Sequence, residues 1–192
     1  MIQDTAPQGN RTQAQRTAAT RAKLLDAAID SLVEHGYSGT STQGIAKRAG
    51  VSRGAQLHHF PTKESLVVAA VEHLVDKRLT EILEARPEPE RGFEALLDGF
   101  SGPLFDAALE LWVAARTDRV LHEAMIPLER KVSDALRIGC LEIMGDRVTP
   151  EGIDLSIELA RGFAVSALMR TPESDREFRE RLLPVWKALV MK

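Results

Sequence analysis

The cations Lys47, Arg48, Arg53 and Lys63 and the adjacent pair His58 and His59 are gathered in one stretch, TSTQGIAKRAGVSRGAQLHHFPTK, residues 40–63. Two short helical runs flank its Gly50-Val51-Ser52 turn. This is the punctuation of a helix-turn-helix, whose second helix can lie in the major groove of DNA while the first crosses the backbone. Other chemistries find less support. His58 and His59 cannot both ligate from one helical face, and no third ligand stands at a usual spacing, so no metal is expected. The string HEAMI at His122 has Ile126 where a zincin places its second histidine. Asp26 with Asp30, and Asp154 with Glu158, are i,i+4 carboxylates without a nucleophile or partner base, and solvated helix faces account for them. No catalytic residue, phosphate loop or cofactor is assigned, and an enzyme is not expected.

Charge is distributed unevenly along the chain. Residues 1–63 hold eight Lys/Arg against four acids, a net +4, whereas residues 64–192 hold 17 basic and 24 acidic residues, a net −7. A basic head on an acidic body confines phosphate attraction to one end and orients the molecule on DNA. Arg11, Arg16, Arg21 and Lys23 have no acid between them, so residues 1–19 read as a flexible basic arm ahead of the first helix. The 192 residues, 44% of them apolar, can bury one substantial core or two small ones. One cysteine, Cys140, rules out an internal disulfide framework. No apolar run approaches the ~18 residues of a membrane span, and the N-terminus lacks the apolar core of a secretory signal, so a cytoplasmic location is expected.

The elements that must position these residues read as helices throughout. Thr20 is placed to cap a first helix whose Leu24, Leu25, Ala28, Ile29, Leu32 and Val33 share one face, and Gly36 ends it. Ser41 caps the next run through Ala49, although Gly44 stands where a capping box would want Glu or Gln. Ser52 caps residues 53–59, Pro61 breaks that helix, and Thr62 caps a fourth from Lys63 to about Arg86, roughly 36 Å long. Beyond Pro87 and Pro89, helices are expected over 90–100, 103–117, 119–144, 151–170 and 174–191, with no alternating strand anywhere. The fold class is therefore all-α: a helix-turn-helix domain at 20–62, and a helical effector-binding and dimerisation domain at 63–192. Pro127 and Pro184 fall inside two helices and should kink or split them.

The last two helices carry more apolar surface than one neighbour can cover. Ile157, Ala160, Phe163, Ala164 and Leu168 on one, and Leu182 and Trp186 on the next, could be plain core, but a self-complementary four-helix dimer interface explains the excess better. Phe100, Phe105, Trp112, Met125, Met144 and Phe163 supply apolar lining for a ligand pocket, with His122 as a polar handle. The Gly102-Pro103 break and Pro127 favour imperfect packing there, and few charges interrupt these faces, which favours an apolar or mildly polar effector.

The head resembles that of the TetR (tetracycline-repressor) family of bacterial transcriptional regulators. The resemblance lies in LLDAAIDSLVEHGYSGTS followed by IAKRAGVSRGAQLHHFPTKESL, in order and without gaps, over about the first third of the chain. It implies an all-helical homodimer with a DNA-reading head, a body holding a small ligand between its helices, and dimerisation through the last two helices. It further implies phosphate contacts at Thr42, His59 and Lys63, the last beside a helix N-terminus. Base reading would fall to Arg53, whose fork matches guanine, with Gly54 allowing close approach to the groove and His58 next; Ser52, the cap of that helix, belongs to the same DNA-binding set. Gln56 stands where the family usually has an apolar residue and either contacts adenine or faces water. Leu57 replaces the usual tyrosine, so that residue's hydroxyl contact to phosphate is missing.

These observations describe a ligand-responsive transcriptional regulator, a repressor that binds a palindromic operator as a homodimer and is released by a small, largely apolar effector. Its partners are double-stranded DNA, that effector and a second copy of the chain, with no membrane. The alternative is a DNA-anchored regulator whose acidic body docks another protein and never meets a small molecule.

Overall fold

The computed structural model describes residues 12–85 and 88–192. Helix α1, Gln13–Gly39, starts seven residues ahead of Thr20 because Thr12 makes the stronger cap. The Thr12 hydroxyl accepts from the Gln15 amide at 3.2 Å while the Gln15 side chain accepts from the Thr12 amide at 2.9 Å. Thr20 lies inside the helix and its hydroxyl bonds back to the Arg16 carbonyl at 2.9 Å. Residues 13–19 are thus helical rather than part of a loose arm, and residues 1–11 with Arg11 lie outside the described residues. Gly36, at φ 65 and ψ 177, occupies a region essentially reserved to glycine and bends the last turn of α1.

Helices α2, Thr42–Ala49, and α3, Arg53–His59, are joined by Gly50 in the left-handed region. Helix α4, Lys63–Ala85, runs about 35 Å; the expected end at Arg86 and the break at Pro87 lie outside the described residues. A 3-10 turn, Pro89–Arg91, leads into α5, Gly92–Gly99, α6, Gly102–Ala115, α7, Arg119–Met144, α8, Pro150–Ala167, and α9, Pro172–Val190. Asp118, Thr149 and Thr171 cap the last three, and Pro150 and Pro172 stand in their first turns, where a missing N–H costs nothing. Among the described residues there is no named strand, only an isolated bridge between Val148 and Met191.

Pro127 and Pro184 split neither helix: α7 and α9 run through both. Each proline frees one carbonyl four residues earlier, on Glu123 and Glu180, and both of those residues are exposed, so water can satisfy the oxygen.

Three apolar clusters make the core. Leu24, Leu25, Ala28, Ile45, Phe60 and Leu66 hold the head together. Leu32, Val67, Val71, Leu111, Leu121 and Met125 form a middle cluster, and Phe93, Phe105, Met144, Ile153, Phe163 and Trp186 a distal one. Helices α1 and α4 contribute to both head and middle clusters, so head and body share two continuous rods.

Candidate nucleic-acid interface and effector cavity

The helix-turn-helix is assembled by hydroxyl caps. Ser41 Oγ accepts from the Gly44 amide at 3.1 Å and Ser52 Oγ from the Ala55 amide at 3.2 Å, which fixes the first turn of α2 and of α3. Arg48 closes on Glu34 through two parallel bonds and tethers α2 to α1. Ser52, Arg53, Gly54, Leu57 and His58 are exposed on α3 and its cap, while Thr42 and His59 are half-buried.

Of the residues expected at the DNA, Gln56 turns inward and Lys63 is tied to the end of α1. Gln56 is 1% exposed, and its amide donates to the Phe60 carbonyl at 2.6 Å. It neither faces water nor reaches a base: its side chain satisfies a backbone oxygen that the end of α3 would otherwise leave open. Lys63 is half-buried, its Nζ donating to the Tyr37 carbonyl at 2.6 Å and lying 3.7 Å from the Tyr37 ring centre. Burial holds its pKa below the usual lysine range. That bond satisfies a carbonyl at the end of α1 and uses one of the three donors of the ammonium.

Tyr37 is the centre of a polar junction that the sequence did not single out. Its amide donates to Glu110 Oε2 at 3.0 Å. Its hydroxyl stands 3.2 Å from both Glu64 Oε1 and Asp118 Oδ2 and can donate to one at a time. Burial, then the two carboxylates, raise the phenol pKa, so the hydroxyl keeps its proton. Asp118 Oδ1 accepts from the Leu121 amide at 3.0 Å, so one carboxylate both starts α7 and touches the base of the head. The available signal was a lone tyrosine between Gly36 and Gly39.

A cavity of about 70 Å³ lies among α4, α6 and α7, lined by Val71, Phe100, Phe105, Trp112, Met125 and Leu128, with Arg78 and Glu129 as its polar groups. Glu129 accepts from the Trp112 indole. A second space of about 250 Å³ shares Leu79, Ile82, Gly99 and Leu136 with the first and continues it past Cys140, whose thiol is pushed up to about 11 by burial and stays neutral. His122 lies instead on an open cleft of about 480 Å³ beside Arg116, Arg130 and Arg161, which shares Trp112, Met125 and Glu129 with the cavity. An acid on the otherwise apolar stripe Leu121, Met125, Leu128 and Val132 was a legible sign that α7 faces a site.

Met144 and Phe163, expected in the pocket, line neither connected space. Met144 is 2% exposed and packs against Gly92, where an added Cβ would meet its Cγ at 2.5 Å. Phe163 stacks on Trp186 at 5.8 Å between ring centres. Ile157, Ala160, Phe163, Ala164 and Trp186 are buried within the chain, so these five expected dimer residues are core. Leu182 is partly buried against the same cluster, and Leu168 is exposed. The outward apolar residues of this region are Leu155 and Val165 on α8, Leu168 and Met169 just past its end, and Val185 and Leu189 on α9.

The family model of bacterial regulatory proteins, tetR family, matches residues 24–70, which span the head from α1 into α4. The HTH-type transcriptional regulator CymR of Pseudomonas putida is 37% identical over 185 residues, covering 90% of this chain and 89% of that protein. The crystal structure of a transcriptional regulator from Rhodococcus sp. Rha1 superposes with a TM-score of 0.71 at 28% identity, over 88% of this chain and 95% of that one. A regulator from Saccharomonospora viridis, in complex with choline, shares the fold at a TM-score of 0.68 and 14% identity, over 91% of this chain and 99% of that one. A cationic helix-turn-helix carried by two long helices on an all-helical body defines the class: a DNA-binding transcriptional regulator. The chain belongs to the TetR family of bacterial transcriptional regulators. Among the described residues, no helix is long and apolar enough to cross a membrane.

Proposed function

We propose that this chain is a ligand-responsive repressor that binds a palindromic operator as a homodimer and is released when a small, largely apolar effector lodges among α4, α6 and α7. One observation carries the reading: the helices that wall the cavity also build the junction at Tyr37. Helix α4 gives Val71 to the cavity and Glu64 to the junction; α6 gives Trp112 and Glu110; α7 gives Met125 and, at its cap, Asp118. Ligand pockets usually hold about 300 to 1,000 Å³, and the two connected spaces here hold about 70 and 250 Å³. An occupant of the narrower space would spread α4, α6 and α7 and shift Glu110 and Asp118 under the head. The effector lowers operator affinity only by its preference for the spread form.

Arg53, Gly54 and His58 face the bases, while Thr42, His59 and Lys63 serve the phosphates and Ser52 caps the reading helix beside them. Phe100, Phe105, Trp112 and Met125 surround the effector. Two heads in successive major grooves lie roughly 34 to 36 Å apart, and the outward face of α8 and α9 is the surface through which a second copy holds that spacing. The choline complex of a regulator with the same fold supports a small organic ligand in such a body.

Selection of bound sites from random DNA at two salt concentrations, followed by a ligand screen on Trp112 fluorescence and thermal shift, tests the proposal. The expected result is a two-fold symmetric site, affinity that falls with salt, and a ligand that both quenches Trp112 and weakens binding. Failure to enrich any DNA overturns it. An operator without any responding ligand favours the body as a protein-docking platform.

A further inference from the structure

Leu57 has no task in that scheme, yet it stands on the exposed side of the helix assigned to the groove. It is 43% exposed on α3, whereas its neighbour Gln56 and the cap residue Phe60 fill the inward side. Within residues 42–59 it is the exposed large hydrophobic. Arg53 stands one turn before it and Gly54 three residues before it, so all three share the outward face. A Cβ at Gly54 would meet nothing within 4 Å, so bare backbone lies beside the isobutyl group and leaves it the prominent feature of the middle of the helix.

An isobutyl group forms no hydrogen bond and gains nothing from a phosphate. In the major groove the apolar feature on a base edge is the C5-methyl of thymine, which 5-methylcytosine also presents. Covering one methyl removes apolar surface from water on both sides. We propose that Leu57 reads a C5-methyl group in the major groove and thereby sets the preferred base at one position of each half-site. This rests on the assignment of α3 to the groove. The four residues from Arg53 to Leu57 advance about 6 Å, or about two base steps, so the methyl lies about two base pairs from the guanine that Arg53 reads.

The test uses full-length protein and a duplex selected from random DNA, replacing each thymine in turn by deoxyuridine. One thymine per half-site should lose about fourfold in affinity when its methyl is removed, and the Leu57→Ala variant should bind both duplexes equally. At that position a cytosine duplex should regain about the same factor on conversion to 5-methylcytosine, which separates methyl reading from recognition of the thymine ring. A silent uracil scan, or methyl sensitivity that persists in Leu57→Ala, overturns the proposal. If Arg53→Ala still relaxes base choice while the scan is silent, the groove assignment stands and Leu57 alone is wrongly assigned. If no duplex is selected, both fall.

Discussion

Arg53 and Gln56 are three residues apart on α3, and burial separates their effects. Arg53→Ala should leave the urea midpoint unchanged and relax base choice at one position by about 1 to 3 kcal/mol, read from binding to single-base variants of the site. Gln56→Ala removes the donor to the Phe60 carbonyl and leaves a small void at a site that is 1% exposed. It should cost about 1 to 3 kcal/mol of stability in urea unfolding without changing which base is preferred. Burial, invisible in the residue type, makes the difference. A glutamine after a helix-turn-helix turn reads equally well as a base contact or a surface residue, and only its burial in the folded head turned it to the Phe60 oxygen.

At the scale of elements, the junction of α1 with α4, α6 and α7 governs how the head sits. Gly36 adopts φ 65 and ψ 177, and a Cβ there would lie 2.7 Å from Glu110 Oε2. Gly36→Ala should therefore destabilise by about 1 to 3 kcal/mol in denaturant unfolding, because strain adds to displacement of the carboxylate that receives the Tyr37 amide. Tyr37→Phe is a gentler probe, removing only the hydroxyl shared by Glu64 and Asp118. It should cost about 1 kcal/mol, keep operator affinity, and reduce the ratio of affinities measured without and with an effector. An unchanged ratio would show that coupling runs elsewhere. The sequence placed these helices well: the expected and observed limits of α7 coincide at 119 and 144, because an Asp cap and a terminal Gly mark it locally. It misplaced the start of α1, since Thr12 and Thr20 are both competent caps and the longer helix gains more bonds.

For the whole molecule, the outward residues of α8 and α9 carry the expectation of a dimer. Val185→Asp together with Leu189→Asp should yield a folded monomer by circular dichroism and ultracentrifugation that no longer binds a palindromic site tightly, since charges on that face oppose a second copy. Trp186→Ala, at 2% exposure and hydrogen-bonded to Ser156 at 3.0 Å, should instead cost about 3 to 5 kcal/mol and unfold the body. A dimer that survives the double aspartate substitution would place the interface elsewhere.

The amino-acid sequence alone determined the all-helical class, the helix-turn-helix, the caps at Ser41, Ser52 and Thr62, and the family, because these depend on neighbours within a few residues. Periodicity also showed that α8 is apolar over most of its circumference, but not which stripe meets its own core. Tertiary packing decided that Ile157, Ala160 and Trp186 point inward while Val185 and Leu189 point out, that Lys63 serves Tyr37, and that Phe163 lies outside the cavity. A side chain's partner across the fold depends on helix rotation and crossing angle, and those are fixed by contacts among residues tens of positions apart.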